Sequence, residues 1–440
     1  MITVEIFQKR RRTLIEHMVS NSAVLIFSAP QVTRSNDTQY PYRQNSNFWY
    51  FTGFNEPQSL LLLIKHNEQN QQSVLFNRKR DLMAEIWSGR RLGQEVVSLK
   101  LGIERAFPWE NINEQLYILL NGLTVLYHAQ GENVEADQLV FDTLEKLRNS
   151  FNQHIKPINT LTDWRPIVHK MRLFKSKEEI EILRSACRIS AQAHIRAMQI
   201  CRAGMFEYEL EREIQYEFNL HGARFPSYNV IIGAGENACI LHYVENNSEM
   251  RDGDLVLIDA GCEFHGYAAD ITRTFPINGK FSKPQRILYN IVLNCLYKSL
   301  SLFRPGIKIN HIHDIVVRTM TLNLLNIGIL KGNLETLLSQ QAHYPFFMHG
   351  LGHWLGLDVH DVGHYGILHR DHILEPGMVL TVEPGLYISS DNTSVPKQYR
   401  GIGIRIEDDI LITENNNENL TNSVVKDINE IELIMAKTHN

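Results

Sequence analysis

Residues 255–276 read LVLIDAGCEFHGYAADITRTFP, and this stretch places two aspartates beside segments with the pattern of buried strands. Asp259 ends an apolar run, and we expect Asp270 in a second strand that follows a turn around residues 264–266. A tight turn would place the two carboxylates directly opposite each other, where at about 4 Å and an effective dielectric constant of about 20 they repel by roughly 4 kcal/mol. The stretch therefore predicts a cation between them, and a metal ion is the simplest one.

Three further segments carry residue types that bind metals in proteins. They read MHGLGH at residues 348–353, TVEPG at residues 381–385 and IGIRIE at residues 402–407. In the last segment isoleucines alternate with other residues, which is the period of a strand and places Arg405 and Glu407 on one face. Glu383 ends another apolar run. Four carboxylates with one or two histidines form an oxygen-rich ligand set that suits Mn²⁺ or a similar ion, and such a set can hold two ions about 3.5–4 Å apart.

Simpler interpretations explain these segments less well. A single aspartate at a strand end is usually a turn or capping residue, but four acids on separate apolar segments are hard to explain that way. His349 and His353 have the spacing of the His-Glu-x-x-His motif of zinc proteases. That motif fails here because position 350 is glycine, so its general base is missing, and two glycines in the segment argue against a helix.

The order Asp, Asp, His, Glu, Glu resembles the pita-bread metallopeptidases, a family that includes methionine aminopeptidase, prolidase, creatinase and Xaa-Pro aminopeptidase. The resemblance rests on the segments LIDAGCEFHGYAADITRTFP, FFMHGLGHWLGLDVHDVG, VLTVEPGLYI and YRGIGIRIEDD. The N-terminal segment SNDTQYPYRQNSNFWYFTGFNEP is similar to the N-terminal domain of the bacterial aminopeptidase P group. The resemblance therefore extends over nearly the whole chain.

The resemblance implies an α+β fold with two domains. Residues 1–173 are expected to form an N-terminal α/β domain of the aminopeptidase P type, and residues 174–440 a pita-bread (creatinase/aminopeptidase-like) catalytic domain. The local sequence agrees, because strand-like and helical runs alternate in the first part. Ser176 and Glu179 then predict a capping box that opens a long amphipathic helix, and a second helix is predicted to stop at Gly222.

The resemblance also implies a role for each site residue. Two divalent metal ions, most simply Mn²⁺, are assigned to Asp259, Asp270, His353, Glu383 and Glu407. Catalytic roles are assigned to His242, His360, Glu383 and Arg405. Substrate-binding positions are matched by Asp37, Trp87, His349, Tyr365 and Arg370.

In the reaction that this family carries out, a metal-bridging hydroxide attacks the scissile carbonyl. His242 and His360 are expected to hydrogen-bond the developing tetrahedral species. Glu383 is expected to move a proton between the water and the leaving nitrogen. Arg405 either holds metal ligands in place or contacts the substrate. The predicted product is the N-terminal residue of a peptide that has proline at its second position.

Two other functions stay open at this point. Prolidase has the same ligands but cuts only Xaa-Pro dipeptides; the wording WSGRRLG at residues 87–93 resembles aminopeptidase P more closely. A pita-bread domain that has lost its metal ligands can instead be a peptide-binding or chaperone module. The complete ligand set of this chain argues against that non-enzymatic alternative.

The composition sets further expectations. The net charge of −5 gives no reason to expect nucleic acid or an anionic membrane as a partner, and no apolar run is long enough to span a bilayer. Five cysteines, an odd number without a Cys-x-x-Cys pair, fit a reducing cytoplasm. In the family, residues at the positions of Asp37 and Trp87 are often borrowed from a neighbouring subunit, which implies a homo-oligomer, a dimer or a tetramer.

Overall fold

The computed structural model describes residues 2–150, 156–363 and 372–436. The chain divides into two units, Met1–Met171 and Arg172–Asn440, called here the first and the second unit. Each unit contains both helices and strands. The predicted domain limits at residues 173 and 174 stay a prediction.

The first unit is built on a mixed sheet. Its strands are β1 (Ser22–Phe27), β2 (Thr33–Ser35), β3 (Thr38–Gln39), β4 (Leu60–Lys65), β5 (Gln71–Asn77), β6 (Arg105–Pro108), β7 (Val125–Tyr127) and β8 (Thr160–Thr162). Its helices are α1 (Val4–Glu16), α2 (Ser46–Thr52), α3 (Leu82–Ser88), α4 (Val97–Leu101), α5 (Ile112–Leu120), α6 (Val134–Arg148) and α7 (Arg165–Leu173), the last of which crosses the unit boundary. Six strands pair in the order β6-β5-β4-β1-β7-β8. The central strand β4 is an unbroken apolar run with every residue buried, as expected for a strand covered on both faces.

The second unit combines longer helices with several small antiparallel sheets. Its helices are α8 (Lys177–Ile200), α9 (Glu207–Leu220), α10 (Lys283–Leu300), α11 (Ile309–Asn326), α12 (Leu334–Ser339) and α13 (Ile428–Ala436). Its strands are β9 (Phe225–Pro226), β10 (Ile231–Ala234), β11 (Leu255–Asp259), β12 (Cys262–Phe264), β13 (Tyr267–Ala268), β14 (Thr272–Pro276), β15 (Val379–Val382), β16 (Gly385–Ile388), β17 (Ile402–Arg405), β18 (Asp408–Ile412) and β19 (Asn417–Asn419). The predicted capping box is confirmed: Ser176 Oγ accepts from the Glu179 amide, and Glu179 Oε2 accepts from the Ser176 amide.

The register of the aspartate strands differs from the prediction. β11 pairs antiparallel with β14, and Asp259 lies opposite Thr272, whereas Asp270 precedes β14 and belongs to no strand. The expectation that the two aspartates oppose each other within a strand pair was therefore wrong. The reason is the short hairpin of β12 and β13, which is inserted between the long strands and turns at His265 and Gly266, both with positive φ.

Near the C-terminus, two successive antiparallel strand pairs are separated by a break that lies at matching positions on both sides. β15 pairs with β18 and β16 pairs with β17, and the chain changes from one pair to the other at Glu383 and Pro384 on one side and at Ile406 and Glu407 on the other. Pro384 has no amide hydrogen to contribute to a continuous ladder. The prediction that one strand runs through Glu407 was wrong, since β17 ends at Arg405. Both glutamates instead lie at these breaks.

Candidate active site

The predicted metal ligands line a single cavity of the second unit, with a volume of about 580 Å³. Both predicted catalytic histidines and Arg405 line it as well. Nine residues predicted for the site thus lie around this cavity: His242, Asp259, Asp270, His349, His353, His360, Glu383, Arg405 and Glu407.

Donor atoms converge at one end of the cavity. Asp270, His353 and Glu407 each offer one ligand atom, and these atoms lie within 4.8 Å of one another. His353 Nε2 is 3.3 Å from Asp270 Oδ2 and 3.7 Å from Glu383 Oε1. The segment with His353 is a loop held by Thr381, whose hydroxyl accepts from the His353 amide at 3.1 Å. This geometry supports a metal site in which a histidine meets several carboxylates.

The charge balance of this cluster fits a bound cation. Burial and the charge of Asp259 raise the pKa of Asp270 to about 6. Burial also raises the pKa of Glu407 well above its usual range, with further contributions from Asp270 and Glu383. Burial opposes a charge on His353, yet the neighbouring carboxylates raise its pKa to about 9. The cluster holds more negative charge than the surrounding protein neutralises, and a divalent metal bound by these donors relieves that excess.

Tyr228 connects the two aspartates, which the sequence did not indicate. Its hydroxyl lies within hydrogen-bonding distance of Asp259 Oδ1 and Asp270 Oδ1, and with one hydrogen it donates to one of them at a time. The tyrosine side chain is partly buried and lines the cavity, so its hydroxyl lies against both carboxylates at the cavity wall. No motif around residue 228 signals this contact, because the aspartates come from a distant part of the chain.

Arg405 fixes the side of the cluster that faces Asp259. Its guanidinium donates to Asp259 Oδ2 at 2.5 Å, to the Tyr387 hydroxyl at 3.0 Å and to Thr272 Oγ1 at 3.1 Å. Thr272 Oγ1 in turn donates to Glu407 Oε2 at 2.7 Å. Sequence reasoning missed Thr272 and Tyr387, although the correct strand register, with Thr272 opposite Asp259, would have pointed to the threonine.

The histidines of the cavity are held in different ways. His349 Nε2 is 2.9 Å from the Tyr387 hydroxyl, and burial together with the charge of Arg405 lowers its pKa to about 4. The ring of His360 packs edge-on against that of His353 at 4.3 Å between centroids. Burial, with smaller contributions from the neighbouring histidines, lowers the pKa of His360. His349 and His360 are therefore neutral near pH 7 and can act as hydrogen-bonding groups.

The other predicted substrate-binding residues belong to the first unit or lie outside the described residues. Asp37 lies in the turn between β2 and β3 and is exposed, and Trp87 lies in α3 with its side chain 89 % exposed. Both belong to the first unit. Tyr365 and Arg370 lie outside the described residues. The roles assigned to these four residues stay predictions.

Comparison with known proteins identifies the family. The sequence profile of metallopeptidase family M24 matches residues 181–414, and that of the aminopeptidase P N-terminal domain matches residues 7–127. The chain belongs to metallopeptidase family M24. The predicted resemblance and the predicted fold class, an α+β chain in which a pita-bread domain follows an N-terminal domain, are both confirmed.

Similar M24 proteins extend over the full length of the chain. Xaa-Pro aminopeptidase of Escherichia coli strain K12 is 64% identical over 430 residues, which cover 98% of this chain and 97% of that protein. Xaa-Pro aminopeptidase of Haemophilus influenzae is 50% identical over 431 residues, with the same coverage. Among solved structures, zinc-substituted E. coli aminopeptidase P in complex with product has a TM-score of 0.98 at 63% identity and covers 100% of this chain and 99% of that one. Proline aminopeptidase P II from Yersinia pestis has a TM-score of 0.98 at 62% identity and covers 99% and 100%.

Membership of M24, together with the Xaa-Pro aminopeptidases that are 64% and 50% identical, confirms the predicted enzyme class, a hydrolase and aminopeptidase of a metal-dependent family. The non-enzymatic interpretation of the pita-bread domain is thereby set aside. Among the described residues, no helix combines the length and the apolar character needed to cross a membrane.

Proposed function

We propose that this M24 enzyme releases the N-terminal residue from peptides with proline at the second position and that it uses two divalent metal ions. The observation that carries the proposal is the convergence of five metal-ligand residues with His242 and His360 on one cavity. The E. coli and H. influenzae relatives that match the chain end to end are Xaa-Pro aminopeptidases. Their name supports the same substrate class for this chain.

The proposed ions are held by Asp259, Asp270, His353, Glu383 and Glu407. The donors are carboxylate oxygens and one imidazole nitrogen, a hard set for which Mn²⁺ is the most suitable first choice. When bound, the metal supplies an acidified water as nucleophile and polarises the scissile carbonyl. Tyr228 and Arg405 keep the aspartates in a fixed orientation, so the donors are preorganised.

The remaining chemistry is proton transfer and charge stabilisation by side chains. Glu383 lies at the strand break between β15 and β16, where burial raises its pKa, so its carboxyl can take a proton from the attacking water and return it to the leaving nitrogen. The N–H groups of His242 and His360 are proposed to donate to the oxyanion that develops on the oxygen of the scissile carbonyl. Neutral His360 keeps such a donor available near pH 7.

Proline as the second residue makes a particular demand on the site. Its nitrogen carries no hydrogen and its ring fixes the backbone, so the site needs an apolar or aromatic surface rather than an acceptor for an amide. His349 and His360 are proposed to form part of that surface. Trp87 and Tyr365 are proposed to complete it. The prolidase alternative has the same donors, and no contact among the described residues favours it.

Helix α3 supports the proposed homo-oligomer. Four large apolar side chains are exposed in one turn and a half of this helix: Leu82 by 74%, Met83 by 70%, Ile86 by 72% and Trp87 by 89%. No residue of α3 is buried. An apolar surface of this kind is typical of a protein contact, and a second copy of the chain is the proposed occupant.

The five cysteines are free, which supports the proposed cytoplasmic location.

The experiment compares two peptides that differ at one position. Purified protein is given a tripeptide with proline second and the same tripeptide with alanine second, before chelation, after it, and after Mn²⁺ is restored. We expect the first residue to be released from the proline peptide at least about tenfold faster than from the alanine peptide, with loss on chelation and recovery with Mn²⁺. Equal cleavage of both peptides would refute the proline specificity, and activity that survives chelation would refute the metal mechanism.

A further inference from the structure

Glu207, the first residue of α9, has a side chain that is fully buried and accepts four hydrogen bonds. Oε1 accepts from the Ala234 amide at 2.8 Å and from Asn237 Nδ2 at 3.0 Å. Oε2 accepts from the Tyr243 hydroxyl and from the Ser248 amide, both at 2.9 Å. All four of these donors lie outside α9. An acid in the first turn of a helix is stabilised by the helix dipole, but that does not explain why it is buried against another segment.

The four donors belong to the chain segment that carries His242 into the cavity. Ala234 ends β10, Asn237 lies in the 3₁₀ helix Gly235–Cys239, and the other two lie in residues 240–248, called here the His242 loop. Within this loop His242 is exposed toward the cavity it lines, whereas the next side chain, Tyr243, is buried. Because adjacent residues share a peptide plane, a fixed Tyr243 hydroxyl also fixes the backbone from which His242 projects.

A second anchor shows how completely this loop is held. Asn246 has a positive φ of 46° and is buried, and its side chain accepts from the Ile232 amide at 3.0 Å and donates to the Val230 carbonyl at 2.8 Å. The side-chain amide of Asn246 also donates to Oε2 of Glu211 at 2.9 Å, and Glu211 lies one turn after Glu207 on α9. The loop has no regular secondary structure of its own, so these side chains determine its path.

We infer that Glu207 is a positioning residue for the reaction, because its buried carboxylate fixes the His242 loop through Tyr243 and Ser248. The inference rests on the proposed function, in which His242 hydrogen-bonds the oxyanion. A buried carboxylate is costly unless every oxygen is satisfied, and here each oxygen has two donors. The placement of His242 matters for the rate, since a displacement of a catalytic group by about 1 Å can lower a rate by about 100-fold.

The test uses one gentle and one stronger variant. Tyr243→Phe removes one hydroxyl and keeps the ring, and we expect kcat to fall about tenfold, the effect of losing one hydrogen bond to a charged group. Glu207→Gln replaces two acceptor positions with a donor, and we expect a fall of about 100-fold. KM and metal content should stay within about twofold, because the lost interaction acts in the transition state. Glu213→Gln is the control: it lies on the same helix but pairs with Arg196 and should keep its kcat.

A double-mutant cycle separates positioning from general destabilisation. If Tyr243 acts through His242, then Tyr243→Phe should have no further effect on kcat in a His242→Ala background. The same tenfold loss in both backgrounds would show that the tyrosine acts independently of His242, and the inference would be overturned. Wild-type kcat in both Tyr243→Phe and Glu207→Gln would overturn it as well. Should Glu207→Gln fail to fold, the tyrosine variant and the cycle still decide the matter.

Hydrogen–deuterium exchange tests the positioning without relying on activity. In Glu207→Gln we expect amides of residues 240–248 to exchange at least about tenfold faster, while those of α10 stay unchanged. Unchanged exchange in the His242 loop would contradict the inference even if the peptide assay succeeded. Wild-type protein that fails to cleave the proline peptide would contradict the proposed function instead, and the exchange result would still show whether Glu207 orders the loop.

Discussion

Asp270 is held in place on three sides by protein groups. Its Oδ1 contacts the Tyr228 hydroxyl, its Oδ2 is 3.3 Å from His353 Nε2, and its backbone amide donates to Asp409 Oδ2 at 3.0 Å. A ligand that is already oriented loses little conformational freedom when an ion binds. The sequence around Asp270 predicts it as a ligand, and the family resemblance predicts His353 as one. Tyr228 and Asp409 could not be predicted, because only the folded chain brings them to Asp270.

Replacing Asp270 tests the metal site at the scale of one residue. In Asp270→Ala we expect metal content to fall and turnover to drop below detection, because one of the three closest donors is removed. Metal content is measured by elemental analysis after dialysis. Asp252→Ala is the control, since Asp252 is exposed and should leave both quantities unchanged. Full activity in Asp270→Ala would show that the assigned ligand set is wrong.

Replacing His360 tests the division between metal ligands and hydrogen-bond donors. We expect His360→Ala to lower kcat by roughly 10²–10³, the usual loss when one oxyanion donor is removed. Metal content should stay near that of the wild type, because His360 contacts the ring of His353 and is not one of the proposed ligands. His221→Ala removes an exposed histidine and serves as the control. Loss of metal in His360→Ala would move this residue into the ligand set.

At the scale of elements, the loop that carries His360 is tied to the start of the second unit by buried charges. Asp361 Oδ1 accepts from Arg172 Nη2 at 2.6 Å, and its Oδ2 accepts from Lys175 Nζ at 3.0 Å. Burial opposes the ionised carboxylate, but the charges of Lys175 and Arg172 hold the pKa of Asp361 below its usual value. The residue next to the proposed catalytic His360 thus also stabilises the fold.

Asp361→Asn should therefore destabilise the protein in a pH-dependent way. Breaking a buried ion pair costs about 3–5 kcal/mol, and we expect a loss of about that size in the free energy of unfolding at pH 7. Since the pKa is lower in the folded state, the stabilisation is present above the unfolded value of about 4 and is lost as the pH falls through the folded value. The difference between wild type and Asp361→Asn in the free energy of unfolding, measured by urea unfolding, should narrow below about pH 4. A constant difference across that range would contradict the ion-pair account; exposed Asp314→Asn is the control.

The strand register shows where sequence reasoning stopped. The apolar runs that end at Asp259 and Glu383 predicted strands correctly, because burial leaves a direct mark on residue type. The pairing of Asp259 with Thr272 could not be read in the same way, since it depends on the inserted hairpin of β12 and β13. Gly261 allows the two ends of this inserted hairpin to approach each other closely. An added Cβ at residue 261 would lie 1.7 Å from the Ala269 carbonyl oxygen, so only glycine is compatible with the approach.

At the scale of the whole molecule, the exposed apolar helix α3 predicts the assembly state. We expect the protein to be a dimer or a tetramer and Ile86→Asp to shift it toward monomer, because a charge is unfavourable in the core of a protein contact. Sedimentation velocity measures the change, and Leu433→Asp, at another exposed aliphatic position but on α13, is the control. If Trp87 is borrowed by a neighbouring subunit, the monomeric variant should also lose activity. A fully active monomer would remove Trp87 and Asp37 from the site.

The length of the preferred peptide is the most direct test of the proposed function, because aminopeptidase and prolidase share every metal ligand. The measurement is kcat/KM for a Xaa-Pro-Yaa tripeptide and for the matching Xaa-Pro dipeptide, with the same Mn²⁺-loaded protein. We predict release of the first residue from the tripeptide and much slower cleavage of the dipeptide. Faster cleavage of the dipeptide would contradict the account and identify the enzyme as a prolidase.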